Sequence, residues 1–173
     1  MIVYIIVICI ILGGCMSRRG KLTKELGSEQ QMADKMMADI VSALDNNDED
    51  ALKSLFSQKT IKEVDDLDQQ ILDIMNFYKG ISRNYEGHIF SSNDIRDGKN
   101  VKKLIEGMYK LETEHGNYRI DFDYNPVDRE NPNEVGLNSL ELITEETYQK
   151  EVDINGSYNW QSGANGPGVY IKD

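Results

Sequence analysis

His88 and His115 are the only imidazoles in this chain. General acid–base chemistry near neutral pH must begin with one of them, or with a carboxylate whose proton affinity has been shifted. His88 lies in Tyr85–Ser91, which reads as a strand, so its ring can be aimed into a site. His115 falls in the turn "HGN" and faces solvent. The plainer reading of His88 is a ring that is hydrogen-bonded or exposed on a sheet. Two histidines this far apart make no helical zinc pair. Asp121 and Asp123 point the same way from one strand and could share a cation, but alternating carboxylates more commonly mark a solvated face. "DNNDED", Asp45 to Asp50, superficially suggests a calcium loop. Asp50 stands where such a loop needs glycine, and Phe56 where it needs a bidentate Glu. "GANGPG", Gly163 to Gly168, lacks the Lys-Ser/Thr of a phosphate cradle, and Ser139 in "LNSLE" lacks the glycines of a nucleophile elbow. No catalytic residue, metal site or cofactor is assigned.

The elements that would position these residues divide into helices and then strands. "SEQQ" at Ser28 has a capping-box spacing, and Met32, Ala33, Met36, Met37, Ile40, Val41 and Leu44 recur on one helical face. Asn46 and Asn47 break that helix, and Asp48-Glu49-Asp50 places acid at the start of the next, Ala51 to Phe56. Thr60 and Glu63 repeat the capping box and open a third helix that buries Val64, Leu67, Ile71, Ile74, Met75 and Tyr78, with Gly80 at its stop. The acidic "DDLD", Asp65 to Asp68, forms its outer face.

After Gly80 the period becomes two. Tyr85–Ser91 is the first strand, Asp97-Gly98 a hairpin turn, Val101–Glu114 a long second strand and His115–Asn117 another turn. Tyr118, Ile120, Phe122 and Tyr124 then alternate with Arg119, Asp121, Asp123 and Asn125, one face apolar and one wet. Pro126–Glu134 reads as a polar loop and Val135–Thr144 as a last strand; the remainder carries little periodic signal. Helices followed by a meander make an α+β fold, with the N-terminal helices packed on one face of a strongly bent antiparallel sheet.

The chain has 173 residues, enough for one ordinary domain, and its 30 acidic against 19 basic residues give a net charge of −11. Such a surface repels a phosphate backbone, so nucleic acid is excluded as a partner. Met1 to Leu12 is an unbroken apolar run, too short to span a bilayer but of signal-peptide length. Its ending, Leu12-Gly13-Gly14-Cys15, resembles the bacterial lipobox. That resemblance implies a diacylglycerol thioether on the Cys15 sulfur and cleavage just before it. Residues 1–14 would be a lipoprotein signal peptide, 15–27 the lipidated cysteine and its tether, and 28–173 a single domain. The stretch departs from the pattern in having no Lys or Arg ahead of the apolar run. With Cys9 removed and Cys15 acylated, no thiol remains for redox or metal chemistry. In the tether, Arg18, Arg19, Lys21 and Lys24 can rest on anionic headgroups, each contributing about 1 kcal/mol, or equally well belong to a solvated linker.

Following a lipobox and a helical hairpin, "GNYRIDFDYNPVDRENPNEVGLNSLELI" resembles an uncharacterised family of Gram-positive lipoproteins classed as a domain of unknown function. That family is similar in fold to nuclear transport factor two and the cystatin-like cone proteins. The resemblance implies a fold and no reaction, since cone relatives include enzymes, binding modules and assembly domains. It also implies a pocket between the helices and the concave sheet, for which Tyr78, Tyr85, His88, Tyr109 and Trp160 are candidate liners. Trp160 with Tyr158 and Tyr170 could stack on sugars or wall peptides, or simply dock the C-terminal segment to the domain. The expected function is a membrane-anchored extracellular binding module for a small ligand or an envelope protein. The alternative is a small hydrolase or isomerase using His88. A pure docking domain would instead show a filled interior and an apolar patch on the outer sheet face.

Overall fold

Ala33, Met37, Ile40 and Leu44 line the buried side of the first helix, α1 (28–45), while Met32 at the margin of the stripe stays exposed. The computed structural model describes residues 28–152, 157, 158, 160 and 166–172. The expected signal peptide (1–14) and the expected lipidated Cys15 with its tether (15–27) lie outside the described residues, as do Gly163 to Asn165 of "GANGPG". α1 ends at Asn46-Asn47, where Asn47 takes the left-handed conformation (φ 51°) that Asn tolerates well. The Asp48 carboxylate then accepts from the Ala51 amide at 2.9 Å and caps α2 (Glu49–Leu55).

The expected third helix is two helices. Ser57, not Thr60, is the cap: its hydroxyl accepts from the Thr60 amide at 3.1 Å and opens α3 (Gln58–Glu63). The Thr60 hydroxyl is buried within that first turn, 3.0 Å from Ser57 Oγ, so it caps nothing further on. The chain leaves the helix at Val64 and re-enters as α4 (Leu67–Phe77), whose Leu67, Ile71, Ile74 and Met75 are buried.

The strands are β1 (Ser82–Arg96), β2 (Lys99–Thr113), β3 (Asn117–Asp128) and β4 (Gly136–Thr144), joined as an antiparallel meander. β1 runs five residues beyond its expected end, to the Asp97-Gly98 turn, where both residues have positive φ (50° and 72°), as a two-residue hairpin requires. β3 likewise extends through Pro126 to Asp128, so the expected loop shortens to 129–134 and ends in a 3₁₀ turn, Pro132–Glu134. Two elements follow that carry too little periodicity to be foreseen: α5 (Glu145–Glu151), capped by Thr144, and β5 (Gly168–Lys172). β5 pairs parallel to β4, so the sheet is mixed rather than antiparallel throughout. It is open, in the order β1-β2-β3-β4-β5.

Helices α1 and α4 cover one face. There Ile105, Tyr109, Leu111, Ile120, Phe122, Leu140 and Leu142 pack against helical Met37, Ile40, Ile71 and Ile74 in a single buried cluster that also takes in Val169 of β5. Two glycines make room for rings. A Cβ at Gly107 would sit 2.3 Å from Phe122 Cζ, and one at Gly87 2.6 Å from the Tyr109 ring. Tyr109 and Phe122 therefore lie over neighbouring strands, their rings 10° from parallel at 5.8 Å. The other face, expected to be wet, is half covered: Asp121 and Glu141, opposite one another on β3 and β4, are both buried.

Candidate functional site

A two-residue-period strand sends successive side chains to opposite faces, and cross-strand partners share a face. One row on the outer face runs Glu86, Lys110, Arg119 and Ile143 across β1 to β4; the next runs His88, Met108, Asp121 and Glu141. Over the first row lies α5. Arg119 reaches up to it in a two-pronged bond, Nε to Glu145 Oε2 at 2.6 Å and Nη2 to Oε1 at 3.1 Å. Its guanidinium lies 4.5 Å from the centroid of Tyr148, a cation–π contact. Beyond Tyr148 stand Trp160, at 6.1 Å and 33°, and Tyr158, which meets Trp160 edge to face at 4.8 Å.

Between this aromatic wall and the strand floor is a cleft of about 480 Å³. Lys110 and Arg119 form its floor, Glu86 and His88 its β1 side, and Tyr148 and Trp160 its far wall. The Arg119 charge is committed to Glu145. Burial opposes ionisation of the Glu145 carboxyl, but its bonds from Arg119 and Gln149 outweigh this and hold it below the usual range. The Lys110 ammonium, by contrast, makes no hydrogen bond or salt bridge among the described residues. His88 is exposed, its ring packed edge-on to Phe90 at 5.8 Å.

The five residues expected to line one pocket are divided between the two faces. His88 and Trp160 line the outer cleft. Tyr109 touches it only from beneath Gly87; its phenol points the opposite way and donates to Asp34 at 2.7 Å. Tyr85 packs on the helix side, 6.2 Å from Tyr109. Tyr78, at the end of α4, donates to Asp45 at 2.6 Å, and the same carboxylate accepts from the Ser82 amide at 3.0 Å. Asp45 of "DNNDED" is thus a tie between α1, α4 and β1. The interior between helices and sheet, where the cone resemblance implies a pocket, is occupied by the side chains of the core. His115 is exposed in its turn.

Arg119, Lys110, Glu86 and Tyr148 were not singled out from sequence. Arg119 and Lys110 carry a signal, since alternation places a cation on the face away from the core. Tyr148 carries none, because its helix has no apolar stripe.

A second polar group lies beside the cleft on the same face. Glu106 of β2 stands opposite Asp123 of β3, and Ser139 of β4 donates to Asp123 Oδ2 at 3.1 Å. Burial raises the proton affinity of Asp123, and burial with the Asp123 charge raises that of Glu106. Among the described residues no three His, Cys, Asp or Glu side chains converge as a metal site, and no helix is long and apolar enough to cross a membrane.

Residues 39–145, more than half of the chain, match the family described as Domain of unknown function (DUF5104). The chain belongs to that family. No curated protein matches it. The DUF5104 segment runs from the middle of α1 to the first residue of α5. It contains His88, Lys110, Arg119 and Glu145, the floor and β1 side of the cleft, whereas Tyr148 and Trp160 of the far wall fall beyond it.

Proposed function

We propose that this DUF5104 chain is a binding module held at the outer face of a cell membrane, a Gram-positive lipoprotein anchored by Cys15, with its ligand site in the outer-face cleft. Its fold belongs in this reading with the nuclear-transport-factor-two-like and cystatin-like cones, whose helices also pack on one sheet face. The observation that carries the reading is the cleft. Its aromatic wall is fixed by Arg119 and Tyr158, and its floor offers the Lys110 ammonium, which forms no ion pair among the described residues. Pockets of this size with an apolar wall and a few placed polar groups are those that take small ligands. Binding is favoured over catalysis because no carboxylate among the described residues orients the His88 ring. A general base needs its tautomer fixed and its proton acceptor aimed, and none of the described residues hydrogen-bonds His88. An envelope protein presenting a polar, ring-bearing side chain is the larger alternative to a free ligand.

Anchoring and binding are tested separately. Phase partition in detergent and mass spectrometry of the N-terminal peptide should find the chain in the detergent phase with a diacylglyceryl adduct on Cys15, and Cys15→Ala should return it to the aqueous phase. An unmodified cysteine would overturn the anchor. The chain's single tryptophan is Trp160, so its fluorescence reports on the cleft. A panel of monosaccharides, dipeptides and small organic acids should contain at least one compound that quenches or shifts it saturably. A response from none overturns the binding reading.

A further inference from the structure

We infer that the cleft takes a saccharide carrying a carboxylate, its ring laid along Trp160 and Tyr148 and its acid group on Lys110. The inference rests on the reading of the cleft as a ligand site. Lys110 supplies the charge. Its neighbour across the register, Arg119, is neutralised by both oxygens of Glu145, while Lys110 forms no salt bridge among the described residues. With Glu86 opposite and the Glu145 charge within reach, the Lys110 ammonium still has no direct ion pair among the described residues, and it is a point charge suited to an anionic group.

The aromatic rings supply the platform. Trp160 and Tyr148 are tilted only 33° from one another, and each is held by a further contact. Arg119 braces Tyr148, and Tyr158 braces Trp160, with the Lys172 ammonium in turn 5.7 Å from the Tyr158 ring centroid. Rings already fixed lose little side-chain freedom on binding. A pyranose has an apolar C–H face to set on such a platform and hydroxyls around its edge. Here the edge groups are met by Glu86, an acceptor, and by the His88 ring, which can donate and accept. A volume near 480 Å³ admits one or two rings. A wholly apolar ligand would take the charged Lys110 and Glu86 heads out of water with no new hydrogen bonds in return, which disfavours it.

The test uses the full chain in detergent, following Trp160 fluorescence and the lysine side-chain resonances. The probes are N-acetylmuramic acid, N-acetylglucosamine, which is the same ring without the lactyl carboxylate, and the dipeptide aspartyl-alanine. N-Acetylmuramic acid should bind more tightly than N-acetylglucosamine. Lys110→Gln should weaken N-acetylmuramic acid about tenfold, the scale of one charge-assisted bond, and leave N-acetylglucosamine unchanged. Trp160→Ala should weaken both sugars. Equal affinity for the two sugars, or an unchanged affinity for the acid sugar in Lys110→Gln, overturns the proposal. Binding of the dipeptide without either sugar overturns the saccharide class while the ligand-site reading stands. Silence toward all three overturns the proposal, and the broader panel then decides the reading beneath it.

Discussion

Asp123 shows how a single carboxyl reports on what covers it. Burial raises its proton affinity, so between its ordinary value of 3.8 and the raised folded value the native state holds a proton that the unfolded chain releases. Stability therefore falls as pH rises through that window and stays lowered above it. Asp123→Asn, which keeps an acceptor for Ser139, should raise the thermal midpoint at neutral pH, and the gain should shrink in acid; melts followed by circular dichroism at the two conditions check it. No gain at neutral pH would mean that the group is solvated. Gly107 makes a steric prediction. A methyl there meets the Phe122 ring at 2.3 Å from strand backbone that cannot move alone, so Gly107→Ala should cost about 1–3 kcal/mol in a denaturant titration. At this scale the sequence was readable in part. The apolar partners Tyr118, Ile120 and Phe122 are where alternation puts them, but the partner face was read as wet, and Asp121 is buried there. Period two separates faces without saying what lies over them.

Among the elements, the β1–β2 hairpin explains why His88 came out on the unexpected side. Arg96 pairs with Lys99 and Ile95 with Asn100, as the Asp97-Gly98 turn dictates, but Asp94 pairs with Lys102. Val101 is an extra residue on β2, a bulge that shifts by one every pair from Asp94–Lys102 to Asn84–Glu112, before a second irregularity at Arg83 restores the offset. Without it His88 would stand opposite Gly107 on the helix side; with it His88 stands opposite Met108 on the outer face. Turn residues can be read from sequence, whereas a bulge in a polar run such as "GKNVKK" leaves no comparable mark. The split of the third helix is a similar case. Both Ser57 and Thr60 have capping chemistry, and the choice is made by β4, whose Leu137 carbonyl accepts the Ser57 amide at 2.8 Å. Ser57→Ala should lose about 1 kcal/mol through the cap alone, seen as a lower urea midpoint with an unchanged slope. A full-stability Ser57→Ala would return the capping role to Thr60.

For the molecule as a whole, the tie between the first turn of α1 and the hairpin is ionic and buried. Glu29 and Lys103 form a salt bridge with almost no exposed side-chain surface, and Ser91 and Asn93 of β1 donate to the same carboxylate at 2.6 and 3.2 Å. Burial works against the Glu29 charge, but the bonds from Lys103, Ser91 and Asn93 prevail and lower its pKa below the ordinary 4.5. This contribution is present above that ordinary value and is lost as pH falls through the lowered one. Lys103→Met leaves the carboxylate without its counter-charge and should cost about 3–5 kcal/mol, with the deficit narrowing in acid. A loss below 1 kcal/mol would place the pair in water. The α+β class and the helix-then-strand order were legible because composition and period change together near Gly80. The mixed sheet was not, since the strand that makes it so is five residues long and follows α5 and a stretch without periodic signal.

That short strand joins distant parts of the chain. β5 lies against β4, and its Val169 amide is held by the Gln70 side chain of α4 at 2.7 Å, so two segments roughly a hundred residues apart complete each other. A growing polypeptide can wind α4 and lay it on the earlier strands, but its Gln70 side chain has no Val169 amide to accept from until the last rung is made. Until then one flank of β4 is bare, and any chaperone or translocation machinery that handles the nascent protein meets it in that unfinished form.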